Sequence, residues 1–133
     1  MISVSTDKTK LNVPFIQHFL KDVYWAAGRT LEEVQRTIDA SVCFGIYLNG
    51  EQIGFCRVIT DYVVFAYVMD VFIDEAHRGK GYASILIDAM MKEPQLQEVK
   101  IWRLATSDAH YLYKKFGFTA LAHPEKMMEK VIK

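Results

Sequence analysis

The chain has 133 residues, of which 51% are hydrophobic and 13% aromatic, a composition that suits one packed domain and excludes a disordered tail or a low-complexity spacer. Sixteen cations balance sixteen anions, so no general pull toward nucleic acid or a membrane surface is expected, and any anion site must be local. The first ten residues carry no apolar signal-peptide core, and the longest apolar run, Val63 to Met69, is far short of the ~20 residues that span a bilayer. The expectation is a single domain over residues 1–133, cytoplasmic, with no nucleic-acid or membrane partner.

In chain order, a short strand is predicted near Ile2–Ser5. Pro14 then opens a helix with Phe15, Ile16, Phe19, Leu20 and Val23 on one face. "TLEEVQRTIDA" starts a second helix, with Thr30 as N-cap and Glu33 closing a capping box. "VCFGIYLNGEQIGFCRVI" reads as a hairpin on the two-residue turn Asn49-Gly50. Counting back from that turn pairs Leu48 with Glu51, Phe44 with Phe55 and Cys43 with Cys56. The two thiols would form a close, non-hydrogen-bonded pair, reduced in a reducing compartment but open to crosslinking by mild oxidant.

"YVVFAYVMDVFI" is a third long strand whose near-continuous apolar character predicts burial on both faces. After "DEAHRGKG" comes a helix with Tyr82, Ile85, Leu86, Ala89 and Met90 on one stripe, ended near Pro94. "EVKIWRLAT" is another strand, "SDAHYLYKKFG" a short helix capped by Ser107 or Asp108 and closed by Gly117, and Met127–Ile132 a last strand. The order β-α-α-β-β-β-α-β-α-β predicts an α/β layer architecture, a mixed sheet with helices on both faces.

The stretch "HRGKGYA", residues 77 to 83, sits where an apolar strand hands over to an amphipathic helix. Free backbone N–H groups and the positive end of a helix dipole make such a place suited to an anion. The Walker A spacing is absent, and the dinucleotide Gly-x-Gly-x-x-Gly fails because Ser84 stands where its third glycine would fall. The residues alone leave phosphate binding and a plain turn both open.

Arg78-Gly79-Lys80-Gly81-Tyr82-Ala83 resembles the Arg/Gln-x-x-Gly-x-Gly/Ala signature of the GNAT superfamily of acyl-CoA-dependent N-acetyltransferases. "AHYLYKKFGF", some way downstream, is similar to that family's second signature, and the element order fits across essentially the whole chain. Glu75 replaces the proline usual in the loop. The resemblance implies a mostly antiparallel, splayed sheet of about six or seven strands. It also implies direct acetyl transfer from acetyl-CoA, a co-substrate, to an amine of a small molecule or peptide.

On the same resemblance, the backbone of Val71, Phe72 and Ile73 would flank the pantetheine arm. Amides from Gly79 through Lys80, Gly81, Tyr82 and Ala83 to Ser84, with the charge of Arg78, would hold the pyrophosphate. Ser107 and Asp108 would touch the lower part of the coenzyme. Tyr113 would be the general acid for the departing thiolate, with activity falling as its phenol ionises near pH ~10.

Asp70 interrupts an apolar strand and is the candidate base, or else a structural partner of Arg57 or Arg103. Trp25 and Arg29, between the first two helices, and Tyr67 are the candidate acceptor contacts; a bulge would be needed to bring Tyr67 and Asp70 to one strand face. The four histidines show no metal spacing, and no metal is expected. A homodimer fits the reading, and a non-catalytic acetyl-CoA sensor on the same fold is its alternative.

Overall fold

The computed structural model describes residues 1–23 and 27–132. Five strands form one sheet in the order β1-β2-β3-β4-β5: β1 Ile2–Ser5, β2 Val42–Leu48, β3 Glu51–Thr60, β4 Phe65–Ile73 and β5 Ile101–Arg103. The first four pair antiparallel, while β5 joins β4 in parallel. Helices α1 (Val13–Leu20) and α2 (Leu31–Asp39) cover one face; α3 (Tyr82–Lys92) and α4 (His110–Lys114) cover the other. This is the mixed α/β architecture expected, with five strands instead of six or seven. Met127–Ile132 forms no strand and lies exposed; Arg103 Nη1 contacts the sulfur of Met127.

Local rules explain most element boundaries. Asn12 caps α1 through a bond from Phe15 N to its Oδ1 at 3.0 Å, with Pro14 in the first turn, where its missing N–H costs nothing. Thr30 and Glu33 exchange both bonds of a capping box at 3.1 and 2.9 Å. Asn49 and Gly50 both take positive φ, 51° and 85°, the requirement of a tight hairpin turn whose twist suits its strands. β4 begins three residues later than expected because Asp61 Oδ1 accepts from the amides of Val63, Val64 and Phe65, winding them into a turn. Its burial alternates as far as Asp70, and Phe72 and Ile73 are then both buried; Ala66, Val68 and Ile73 join the core on the α3 side and Phe72 the core on the α1 side, so β4 is buried on both faces as expected.

Two further expectations shift by one position. On α3 the buried stripe is Leu86, Ile87 and Met90, and Ile85 is exposed. α4 starts at His110 with Ala109 as its N-cap, in place of Ser107 or Asp108, and no side chain caps it; just before it, Thr106 Oγ1 accepts from Ala109 N at 3.1 Å.

The sheet carries two bulges, and both move side chains that matter. The first lies between β2 and β3: Ile46 faces Gly54 and Tyr47 faces Gln52, which leaves Ile53 as the extra residue. Beyond it Phe44 faces Cys56 and Cys43 faces Arg57. The predicted Cys43–Cys56 pairing is therefore wrong by one residue, and a one-residue slip turns side chains to opposite faces. Cys43 packs with α1 and α2, Cys56 with α3 and α4; both are buried, free thiols. Gly54 is confined to glycine here, because a Cβ would stand 2.6 Å from the carbonyl oxygen of Phe72.

The second bulge lies in β4. Phe55 faces Phe72 and Arg57 faces Met69, so Cys56 alone opposes Asp70 and Val71. Asp70 adopts φ 55°, the left-handed region, at a cost of about 1–2 kcal/mol for a residue with a Cβ. Arg57 touches both the sulfur of Met69 and the carboxylate of Asp70, so these two consecutive residues point to the same side, the side of α1 and α2. Tyr67, two residues before Met69, shares that face.

Candidate active site

β4 and β5 pair only at Phe65–Tyr67 with Ile101–Arg103. Past that point the strands part, and a cavity of about 840 Å³ opens between the far half of β4, the start of α3 and the segment leading into α4. The edge of Val68–Ile73 that β5 leaves unpaired lines this cavity. Unpaired strand edges are ready to accept an extended amide-bearing chain. One carbonyl there is engaged: Arg78 Nε donates to Ile73 O at 3.1 Å, and its guanidinium carbon stands 5.8 Å over the ring of Phe19.

At one end of the cavity lies the turn into α3. Gly79 and Gly81 have φ 79° and 80°, and Gly81 is the N-cap, with no side chain capping the helix. A Cβ at either glycine would meet nothing within 4 Å, so the backbone there is bare. The first-turn N–H groups of Tyr82, Ala83 and Ser84 are the orphan donors of a helix start, and the dipole makes them attractive to an anion. Lys115 Nζ donates to Ser84 Oγ at 2.8 Å, which ties the end of α4 to this turn.

Of the residues expected at a coenzyme site, Val71, Phe72, Ile73, Arg78, Gly79, Gly81, Tyr82, Ala83, Ser84, Ser107 and Asp108 line the one cavity; Lys80 is exposed and does not. Tyr67, Asp70 and Tyr113 line it too. Trp25 lies outside the described residues. Phe19, Thr106 and Lys115 were not foreseen: a helical phenylalanine, a strand-end threonine and a helix-end lysine have no sequence pattern that separates them from core and surface.

Tyr113 is 7% exposed, with its ring edge-on to Phe118 at 5.9 Å. Burial pushes its phenol up to about 12, with Cys56 and Asp108 adding smaller electrostatic pushes in the same direction. The group is thus held protonated well beyond neutral pH, and it ionises above the pH ~10 expected of an unperturbed tyrosine.

Asp70 is 4% exposed and sits between two guanidiniums. Its Oδ2 receives Arg57 Nε at 2.6 Å and Arg29 Nη1 at 2.7 Å. Its Oδ1 is buried and has no hydrogen-bond partner among the described residues. Arg57 is consumed by the interior, donating also to Ser41 Oγ at 3.1 Å and to the Met69 sulfur at 3.6 Å. The structural partners of Asp70 are therefore Arg57 and Arg29, and not Arg103. The carboxylate is anchored on Oδ2 and buried without a partner on Oδ1, in a residue that lines the cavity.

Comparison with known proteins agrees with this geometry. The family "Acetyltransferase (GNAT) domain" matches residues 39–120, more than half of the chain. A Gibberella zeae protein named "Putative acetyltransferase" is 33% identical over 86% of this chain and 77% of its own length. A GNAT-family crystal structure from Xanthomonas campestris pv. campestris is 46% identical, covers 99% of this chain and 94% of that one, and superposes with a TM-score of 0.95. An acetyltransferase structure from Clostridium acetobutylicum determined with acetyl-CoA shares the fold at a TM-score of 0.72, with 16% identity over 98% of this chain and 96% of that one. The chain belongs to the GNAT family of acetyltransferases, and it is an acyltransferase enzyme.

Proposed function

We propose that the protein moves the acetyl group of acetyl-CoA directly onto the amine of a small molecule or peptide. The observation that carries this reading is the wedge between β4 and β5, which ends on the bare, uncapped start of α3. An extended pantetheine arm fits beside the unpaired peptide groups of Val71–Ile73. A pyrophosphate fits the N–H groups from Gly79 to Ser84, with Arg78 supplying charge. The acetyl-CoA found with the Clostridium acetobutylicum relative supports the same ligand here.

Transfer needs a neutral amine, a polarised thioester carbonyl and a proton for the leaving thiolate. Tyr113 supplies that proton, because its buried phenol stays protonated and faces the cavity. Asp70 accepts an N–H of the incoming amine at Oδ1, which orients the lone pair toward the carbonyl, and as candidate base it takes, directly or through water, the proton that the nitrogen sheds when the C–N bond forms and the C–S bond breaks. A protonated phenol in the cavity wall favours turnover over a coenzyme sensor without catalysis.

Two measurements test the reading. Calorimetry should show acetyl-CoA binding that Gly81→Asp removes, since the substitution puts a negative charge into the cradle; unchanged affinity in a folded variant would exclude the phosphate site. Tyr113→Phe keeps the ring and its packing, and kcat should fall roughly 10²–10⁴-fold with coenzyme affinity preserved. Wild-type kcat in that variant would return Tyr113 to a purely structural role.

A further inference from the structure

Resting on the transferase reading, we infer that the acceptor is an amine that carries its own carboxylate on a short spacer, an amino-acid-like substrate held between Asp70 and Arg29. The first observation is charge. Arg29, Arg57 and Asp70 form a triad with two cations and one anion around a single carboxylate oxygen. Arg57 is spent on the interior: its side chain is 6% exposed and all three of its nitrogens have partners. The surplus positive charge of the triad therefore resides on Arg29, whose side chain is 19% exposed, lies within electrostatic reach of Glu33 and, among the described residues, makes a side-chain bond only through Nη1. A guanidinium left with unused donors is suited to a carboxylate, which it can hold with two parallel bonds.

The second observation is independent of the first. Asp70 Oδ1 is buried and unpartnered although the side chain is only 1% exposed, and a carboxylate oxygen kept from both water and protein is a vacancy for a donor. Asp70 lines the cavity, so the donor can come from a ligand. An amine supplies it.

Arg29 is not among the residues that line the cavity, but its Nη1 stands 2.7 Å from Asp70 Oδ2, so a ligand that reaches Asp70 has the guanidinium beside it. A ligand that satisfies both must carry its amine and its anion close together. Arg29 is itself held in place: its carbonyl accepts from Gln17 Nε2 at 3.1 Å, and the next residue is the N-cap of α2. A simple amine would fill one vacancy and leave the excess cation unanswered.

The experiment compares amines in matched pairs, each an amino acid and its decarboxylated counterpart, by thiol release from acetyl-CoA. In the wild-type protein kcat/KM should favour the amino acid of a pair, through KM, by roughly 10- to 100-fold, the effect expected of a charged hydrogen-bonded contact. In Arg29→Gln the ratio within each pair should collapse toward one, and Arg29→Lys, which keeps the charge without the fork, should restore part of it. Acetyl-CoA affinity measured by calorimetry establishes that each variant is folded. Equal efficiency within pairs in the wild-type protein, or an undiminished ratio in Arg29→Gln, overturns the inference and leaves acetyl transfer standing. Absence of transfer to every amine by protein that binds acetyl-CoA overturns both.

Discussion

The two bulges of the sheet each insert one residue, and the residue inserted decides what the irregularity does. At the β2–β3 bulge it is Ile53, fully buried among the side chains of the α3 face, with the neighbouring Gln52 bonding Asn12 N and Gly54 O. The Gln52 amide is satisfied within the protein, while the buried hydroxyl of the facing Tyr47 has no partner among the described residues, and the result is a core in a new register. At the β4 bulge the backbone turns left-handed at a carboxylate, which draws in two guanidiniums and leaves one oxygen unanswered. A bulge closed by apolar packing stabilises; one closed by charge, next to a cavity, leaves an unpartnered oxygen where the proposed acceptor would bind.

That contrast can be broken most forcefully at Asp70. Asp70→Ala leaves two guanidiniums without their counter-ion, and stability should fall by about 3–5 kcal/mol, seen as a loss of about 10 °C or more in Tm, together with near-complete loss of turnover. A variant as stable as wild type would mean that the triad contributes nothing to the fold. Ile53→Ala is the matching test at the other bulge. It should cost about 3 kcal/mol in chemical denaturation by removing buried methyl groups, while kcat of the folded protein stays within a factor of two. A large drop in kcat would show that the two bulges are coupled.

Smaller effects sharpen the picture on the cavity side. The Tyr113 phenol ionises near 12 in the folded protein and near 10 when unfolded, so the fold binds that proton more tightly. Its contribution is fully present below pH ~10 and is lost as pH rises toward about 12, up to about 3 kcal/mol. Denaturation curves of wild type and Tyr113→Phe across that window should converge on the acidic side and separate on the alkaline side. The smallest expected signal is at the thiols. Because Ile53 shifts the register, Cys43 and Cys56 lie on opposite faces, and burial pushes Cys43 up to about 11 and Cys56 higher still. Mild oxidant should form no intramolecular disulfide, and a thiol reagent should label neither residue until denaturant is added; a crosslinked monomer by mass spectrometry would contradict the bulge.

What the sequence made legible follows the range of the interactions involved. Caps and turns are settled within four residues, so the Thr30–Glu33 box and the Asn49-Gly50 turn could be read directly. The stretch from Val71 to Ser84, most of which lines the cavity, was legible as a strand handing over to a glycine-rich helix start because its glycines and its position after a strand form one contiguous signal. The bulges were not, since each is set by pairing across strands: Ile53 looks like any residue of an alternating run, and the thiol pairing failed with it. Tyr67 and Asp70 needed a bulge to share a face, and β4 contains one. Arg29 was picked out as a cation in a loop, but its bond to Asp70 spans 41 positions, beyond any local pattern. The last strand failed for a related reason: Met127–Ile132 is apolar at both ends around Glu129 and Lys130, yet no strand edge among the described residues receives it.

The parting of β4 and β5 has a consequence for the protein as a thermodynamic object. A sheet whose fifth strand is attached by only three residue pairs is unfinished, and a ligand lying in the wedge would finish it. Coenzyme and fold then share one free energy. At a hundred times its dissociation constant, a ligand bound only to the native state adds about 2.7 kcal/mol, comparable to a substantial part of the core. The melting temperature of this enzyme would accordingly report the acyl-CoA concentration around it, and the α3–α4 half of the molecule, which borders the opening, would gain the most protection from hydrogen exchange when the wedge is filled.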